Sequence, residues 1–142
     1  MPSRRFLQLA ACILALAFAN SLFAKGQVWN FLGHAQIDKS RDHGRIQITR
    51  HDIPFRAIQL RVGGEAIFFD RLVIHFEDGT SQAMTISDRI APGGRNFVID
   101  LLGERSIETV ELWYFKEPWS QNPTVSVYGE QLPDLGAQAS AP

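Results

Sequence analysis

The densest group of side chains that could do chemistry lies between residues 38 and 52. Asp42 and His43 end one polar run, and His51 and Asp52 follow shortly after it. Imidazole nitrogens and carboxylate oxygens are ligands for zinc and other divalent metals, so these four residues are candidate metal ligands. The competing interpretation is a solvated loop that joins the first two strands. The absence of HExxH or a comparable ligand spacing favours the loop.

A second candidate site is aromatic. Trp113 and Phe115 alternate along one predicted strand, and Trp119 follows in a loop. Together they predict a ligand-binding platform, because flat aromatic surfaces bind sugars or peptides by stacking and apolar burial. The alternative is that Trp119 folds back over Trp113 and covers the edge of a sandwich of two sheets. That alternative is favoured, since tryptophan is usually largely buried.

Other catalytic signatures are missing from the sequence. It contains no GxSxG elbow and no glycine-rich phosphate loop between a strand and a helix. Glu108 and Glu111 are three positions apart, so they do not share a strand face as an acid/base pair would. No cofactor is predicted. With 14 Lys and Arg against 15 Asp and Glu, the chain is not basic enough to predict a nucleic-acid partner.

The first 24 residues are typical of a secretory signal. Arg4 and Arg5 precede an apolar run over residues 6–18, and small residues follow at Ala19 and Ala24. Cleavage after Ala24 is preferred to cleavage after Ala19. The mature chain would then carry 12 basic and 15 acidic residues.

Two other interpretations of this leader stay open. The leader could remain as an uncleaved anchor, although polar residues dilute the apolar run below the ~20 residues that a span needs. Cys12 also follows a short lipobox-like sequence, but a lipid-bearing cysteine should end the apolar run and not lie inside it. The favoured cleavage removes Cys12, the only cysteine, and leaves no stable membrane span.

The elements that must position these side chains are all predicted to be strands. Short apolar alternations separated by Gly and Pro turn signals, without a long helical period, predict an all-β chain. Asp78-Gly79 predicts a two-residue hairpin. The pattern predicts a single antiparallel β-sandwich over residues 25–130, followed by a flexible tail over 131–142. The predicted strands cover residues 27–37, 45–50, 55–62, 66–70, 71–76, 81–86, 96–101, 107–115 and 124–128.

A family resemblance rests on turn and core positions. These are Trp29-x-x-Leu32-Gly33, Val62-Gly63-Gly64, Asp78-Gly79, Val98-Ile99-Asp100-Leu101-x-Gly103 and the closing Val125-x-Val127-Tyr128-Gly129. In this order they resemble the small secreted bacterial β-sandwich domains of unknown function, an uncharacterised periplasmic family. The resemblance implies a β-sandwich and export, and it implies no catalytic residues.

The sequence therefore predicts an exported, non-catalytic β-sandwich, periplasmic or secreted, that acts as a binding or envelope-associated module. Its expected partner is a protein, a peptide or a glycan. The alternative is a small metal-dependent or hydrolytic enzyme that uses the 38–52 loop. A further alternative is a structural component that docks through a long unpaired edge strand.

Overall fold

The computed structural model describes residues 28–94 and 97–131. They form seven strands and no helix, which confirms the all-β prediction. The strands are β1 Trp29–Gln36, β2 His43–Gln47, β3 Pro54–Gly63, β4 Ile67–Phe76, β5 Ser81–Ile90, β6 Phe97–Tyr114 and β7 Thr124–Glu130. The predicted leader over residues 1–24 and all but the first residue of the predicted tail lie outside the described residues.

All strand pairs are antiparallel, in the order β1-β7-β3-β6-β4-β5, and β2 pairs with β6. The 18-residue strand β6 links the two parts of this arrangement. Its first half pairs with β3, and its second half lies between β2 and β4. One strand therefore positions residues of two different surfaces.

Two predicted strand boundaries are wrong, which is why seven strands replace nine. Residues 67–70 and 71–76 of two predicted strands belong to one strand, β4, whose register shifts between Phe69 and Arg71. The described residues 97–101 and residues 107–114 of two predicted strands likewise fall on one strand, β6, which continues through Gly103 at φ 86°. At both positions, Asp70 in β4 and Gly103 in β6, the strand pairing is irregular but does not end. Asp and Gly are also common in turns, which is why the sequence predicts a turn there.

The core follows the predicted alternation. Ile58 and Leu60 of β3 and Leu72 and Ile74 of β4 are fully buried, as are residues of the neighbouring strands β6 and β7. A fully buried aliphatic side chain contributes about 1.5–3 kcal/mol relative to an exposed one. The opposite side of each strand faces outward and carries most of the polar groups that matter below.

The hairpin predicted at Asp78-Gly79 joins β4 to β5, but the hydrogen-bonded residues Phe76 and Thr80 enclose three residues and not two. The Gly79 amide donates to the Phe76 carbonyl at 3.1 Å, and Phe76 in turn donates to the Thr80 carbonyl at 2.9 Å. Gly79 adopts φ 86°, a left-handed conformation that glycine adopts without steric cost. Asp78 accepts from the Thr80 amide at 2.9 Å and holds the turn.

The described part of the chain contains no helix whose length and apolar character would let it cross a membrane.

Candidate functional site

The four predicted metal ligands fall into two separate places. Asp42 and His43 lie at the start of β2, where His43 Nε2 is 2.7 Å from Glu111 Oε2. His51 and Asp52 lie in the turn before β3, and His51 Nδ1 is 3.4 Å from a carboxylate oxygen of Glu77 instead. Among the described residues, no three His, Cys, Asp or Glu side chains are grouped to hold a metal ion.

The three predicted aromatic residues are also divided. Trp119 is only 6% exposed, and its indole Nε1 donates to the Ala66 carbonyl at 2.9 Å. Its ring lies 6.2 Å from that of the buried Tyr114, centroid to centroid, so it packs into the core. Trp113 and Phe115 line one open cleft of about 410 Å³, in which Asp42 also lies.

Within that cleft, the faces of the Trp113 ring are already covered. The His43 ring stacks on it at 4.5 Å between centroids, and the Arg71 guanidinium lies 4.0 Å from the ring centroid. Because β2 and β4 flank β6 on opposite sides, these two side chains cover opposite faces. Phe115 is 53% exposed and packs edge-on against Phe68. Phe115 is therefore the aromatic surface that this cleft offers.

Glu111 occupies the centre of the outer face of β2, β6 and β4. It lies opposite Arg45 on β2, and its side chain is 12% exposed. It accepts hydrogen bonds from His43 at 2.7 Å and from His75, and Arg45 Nη2 lies 3.2 Å from it. Burial favours the neutral acid, but the hydrogen bonds from His75 and His43 and the charge of Arg45 outweigh it and lower the pKa of Glu111. In the sequence, Glu111 precedes Trp113 by two positions, and this spacing was the signal that the two side chains share a strand face.

A second aromatic surface lies on the outer face of β1, β7 and β3. We call it the Trp29 face, and it consists of Trp29, Phe31, Tyr128, Arg61 and Gln59. Phe31 lies opposite Tyr128, and Tyr128 lies opposite Gln59. Trp29 precedes Phe31 by two positions on β1, so both side chains point to the same side of the sheet.

The Trp29 face combines one exposed ring, that of Phe31, and two half-buried rings with a fixed guanidinium. Phe31 is 46% exposed, and its ring meets that of Tyr128 edge-on at 5.6 Å between centroids. The Arg61 guanidinium carbon lies 3.9 Å from the Tyr128 centroid, and Arg61 Nε donates to Gln59 Oε1 at 2.7 Å. The rings supply apolar surface, and the guanidinium supplies planar donors whose orientation is set by Gln59, itself only 5% exposed.

A cleft of about 440 Å³ adjoins this face. Its lining residues come from the start of β1, from β3, from the first half of β6 and from the end of β7: Trp29, Arg56, Val98, Asp100, Leu101, Gly103, Glu104 and Glu130. Arg56 Nη2 donates to Glu130 Oε1 at 2.8 Å, and Glu130 is 4% exposed. This hydrogen bond and the Glu130 charge raise the pKa of Arg56.

The Trp29 face was not among the sites predicted from the sequence. The alternation of Trp29 and Phe31 within predicted β1 was a usable signal that two aromatic side chains share a strand face. Tyr128 lies about a hundred positions further along the chain, and its contact with Phe31 depends on the pairing of β1 with β7.

Comparison with known families bears on most of the chain. Residues 10–129 match the family model described as Domain of unknown function (DUF2541). The chain belongs to this family. The resemblance to an uncharacterised domain family is thereby confirmed. No curated protein matches this DUF2541 chain.

One solved structure similar to the DUF2541 chain is that of AlgX from Pseudomonas aeruginosa. The TM-score is 0.51 at 10% sequence identity, over 76% of this chain and 28% of the AlgX chain. At this identity the likeness shows a shared fold alone. The DUF2541 chain spans little more than a quarter of the length of the AlgX chain.

Proposed function

We propose that the protein is an exported, non-catalytic binding module of the cell envelope, and that it binds a carbohydrate on the Trp29 face. The observation that carries this proposal is the pair of rings formed by Phe31 and Tyr128 on neighbouring strands, with Trp29 beside it and the Arg61 guanidinium held over Tyr128. Aromatic rings bind the apolar faces of sugar rings, and hydroxyl groups need planar donors and acceptors close by.

The preorganisation of the polar groups supports binding of this kind. Arg61 is held by Gln59 and by the Tyr128 ring, and Arg56 is held by Glu130. A ligand then binds to side chains whose rotamers are already fixed, which reduces the entropy lost on association. We therefore expect these side chains to keep their conformations when a ligand binds.

The arrangement on the opposite surface supports a non-catalytic role. The Glu111 carboxylate there contacts His43, His75 and Arg45. A general acid or base must reach the proton of a substrate within hydrogen-bond distance. Both Glu111 oxygens are already occupied and the side chain is only 12% exposed, so this carboxylate does not reach a substrate, and the cluster ties β2, β6 and β4 together.

The leader pattern of residues 1–24 supports export. Expression from the full-length gene, followed by cell fractionation and mass spectrometry of the N-terminus, tests this part of the proposal. We expect protein in the exported fraction that begins at Lys25. Intact protein that begins at Met1 and stays in the cytoplasm would refute export.

The binding surface is tested with three matched alanine variants of the exported protein. Oligosaccharide binding is measured by calorimetric titration after a glycan array has selected the ligand. Trp29→Ala and Phe31→Ala should each weaken binding about tenfold, which corresponds to ~1.4 kcal/mol for one stacking contact. Phe115→Ala removes an equally exposed ring from the other cleft and should leave the affinity unchanged. If only Phe115→Ala lost binding, the ligand would bind in the cleft of Phe115, and the proposal for the Trp29 face would be refuted.

A further inference from the structure

The cleft beside the Trp29 face has an unbalanced charge. Its lining includes three carboxylates, on Asp100, Glu104 and Glu130, and one guanidinium, on Arg56. Arg56 is bonded to Glu130, so that pair is neutral as a unit. The remaining two carboxylates are on exposed residues, and within the described ranges neither takes part in a salt bridge.

The strand register places Trp29 in the same row as one of these carboxylates, that of Asp100. Trp29 lies opposite Glu130, Glu130 lies opposite Ala57, and Ala57 lies opposite Asp100. The row therefore crosses four neighbouring strands. With strands about 4.8 Å apart, Trp29 and Asp100 are separated by roughly 14 Å at the backbone. This width accommodates a sugar residue between the indole ring and the carboxylates.

Resting on the proposed function, we propose that this cleft selects a carbohydrate that bears a protonated amine, an amino sugar whose nitrogen is not acylated. The indole ring packs against the apolar face of the sugar residue, and an ammonium group on the other side of that residue is attracted to the carboxylates. Arg56 does not repel it strongly, because Glu130 neutralises the guanidinium. The Trp29 face supplies the stacking surface for the rest of the chain, and the cleft supplies the selection for charge.

The test compares two glucosamine tetramers of equal length, one fully N-acetylated and one fully de-N-acetylated. Binding to the exported protein is measured by calorimetry near about pH 6, where the free amines of the sugar are protonated. One unit charge about 4 Å away in a water-like medium changes the affinity about fivefold. Two carboxylates should therefore favour the free amine by roughly five- to thirtyfold, and the preference should shrink as salt is added.

The variants Asp100→Asn and Glu104→Gln keep the size of each side chain and remove its charge. Each should reduce the preference for the free amine about fivefold and leave the affinity for the N-acetylated tetramer unchanged. Glu108→Gln removes an exposed carboxylate from the same strand outside the cleft, and it should leave the preference intact. Thermal melting of each variant confirms that it is folded.

The outcomes of this test distinguish selection for an amine from carbohydrate binding on the Trp29 face. If both tetramers bind with equal affinity and Trp29→Ala still abolishes binding, selection for an amine is overturned, but carbohydrate binding on the Trp29 face is still supported. If neither tetramer nor any other glycan binds, both proposals fail. If the free amine binds tighter but the preference survives in Asp100→Asn and Glu104→Gln, the cleft is not its source and the inference is overturned.

Discussion

Replacing Glu111 by Gln should destabilise the domain, because one carboxylate joins three strands. Its two oxygens contact His43 on β2, Arg45 on β2 and His75 on β4. Glutamine preserves the size of the side chain, but it has no charge, and its amide group places donors where acceptors are needed. Glu108→Gln is the matched control, since Glu108 is an exposed residue of the same strand and forms no salt bridge within the described ranges.

The magnitude follows from the exposure of the partners. The side chains of His43, Arg45 and His75 are 40%, 55% and 35% exposed, so each contact is screened by solvent. Contacts of this kind contribute about 0.5–1 kcal/mol each, which gives roughly 1.5–3 kcal/mol for three. For a domain of this size, 1 kcal/mol corresponds to about 4–8 °C in Tm, so Glu111→Gln should melt at least about 6 °C below the wild type.

The effect should also depend on pH. Its neighbours lower the pKa of Glu111, so the folded state releases this proton more readily than the unfolded state. The stabilisation is therefore complete above the ordinary pKa of 4.5 and is lost as the pH falls through the folded value. Thermal melts of wild type and variant from neutral to acid pH should converge in acid. A variant as stable as the control at neutral pH, or a difference that persists in strong acid, would refute this role for Glu111.

Two further substitutions test the packing of the core. Gly129→Ala should cost about 1–3 kcal/mol in urea unfolding, because its Cβ would lie 2.6 Å from Phe55 Cδ1, whereas Gly44→Ala, whose Cβ meets its nearest neighbour at 3.7 Å, should cost much less. Equal costs for the two alanines would contradict the close approach. Trp119→Phe should lower the free energy of unfolding by about 1–3 kcal/mol, because it leaves the Ala66 carbonyl without its indole donor. An unchanged urea midpoint would show that this hydrogen bond does not form.

The fold class could be predicted because apolar alternation is a local property. The buried positions Ile58, Leu60, Leu72 and Ile74 follow directly from that period. The number of strands could not be predicted in the same way. Gly103 adopts a positive φ inside a continuous strand, and nothing in its immediate neighbours distinguishes a bulge from a turn.

The candidate site was harder to predict because it depends on pairing between distant segments. The contact between Phe31 and Tyr128 requires β1 to lie beside β7, and the approach of His75 to Glu111 requires β4 to lie beside β6. Trp119 shows the same limit. Its burial agrees with the preferred alternative of the sequence analysis, but it packs against Tyr114 and the Ala66 carbonyl, and its position depends on the whole loop after β6.

The most direct test of the carbohydrate-binding face follows the indole N–H signals of the three tryptophans by NMR while an oligosaccharide ligand is added. Single Trp→Phe variants assign the signals of Trp29, Trp113 and Trp119. The Trp29 signal should move and saturate, because this ring lines the cleft beside the proposed binding face. The Trp119 signal should stay fixed, since its indole is bonded to Ala66, and so should the signal of Trp113 on the other surface. A saturable shift of Trp113 with a stationary Trp29 would contradict the account.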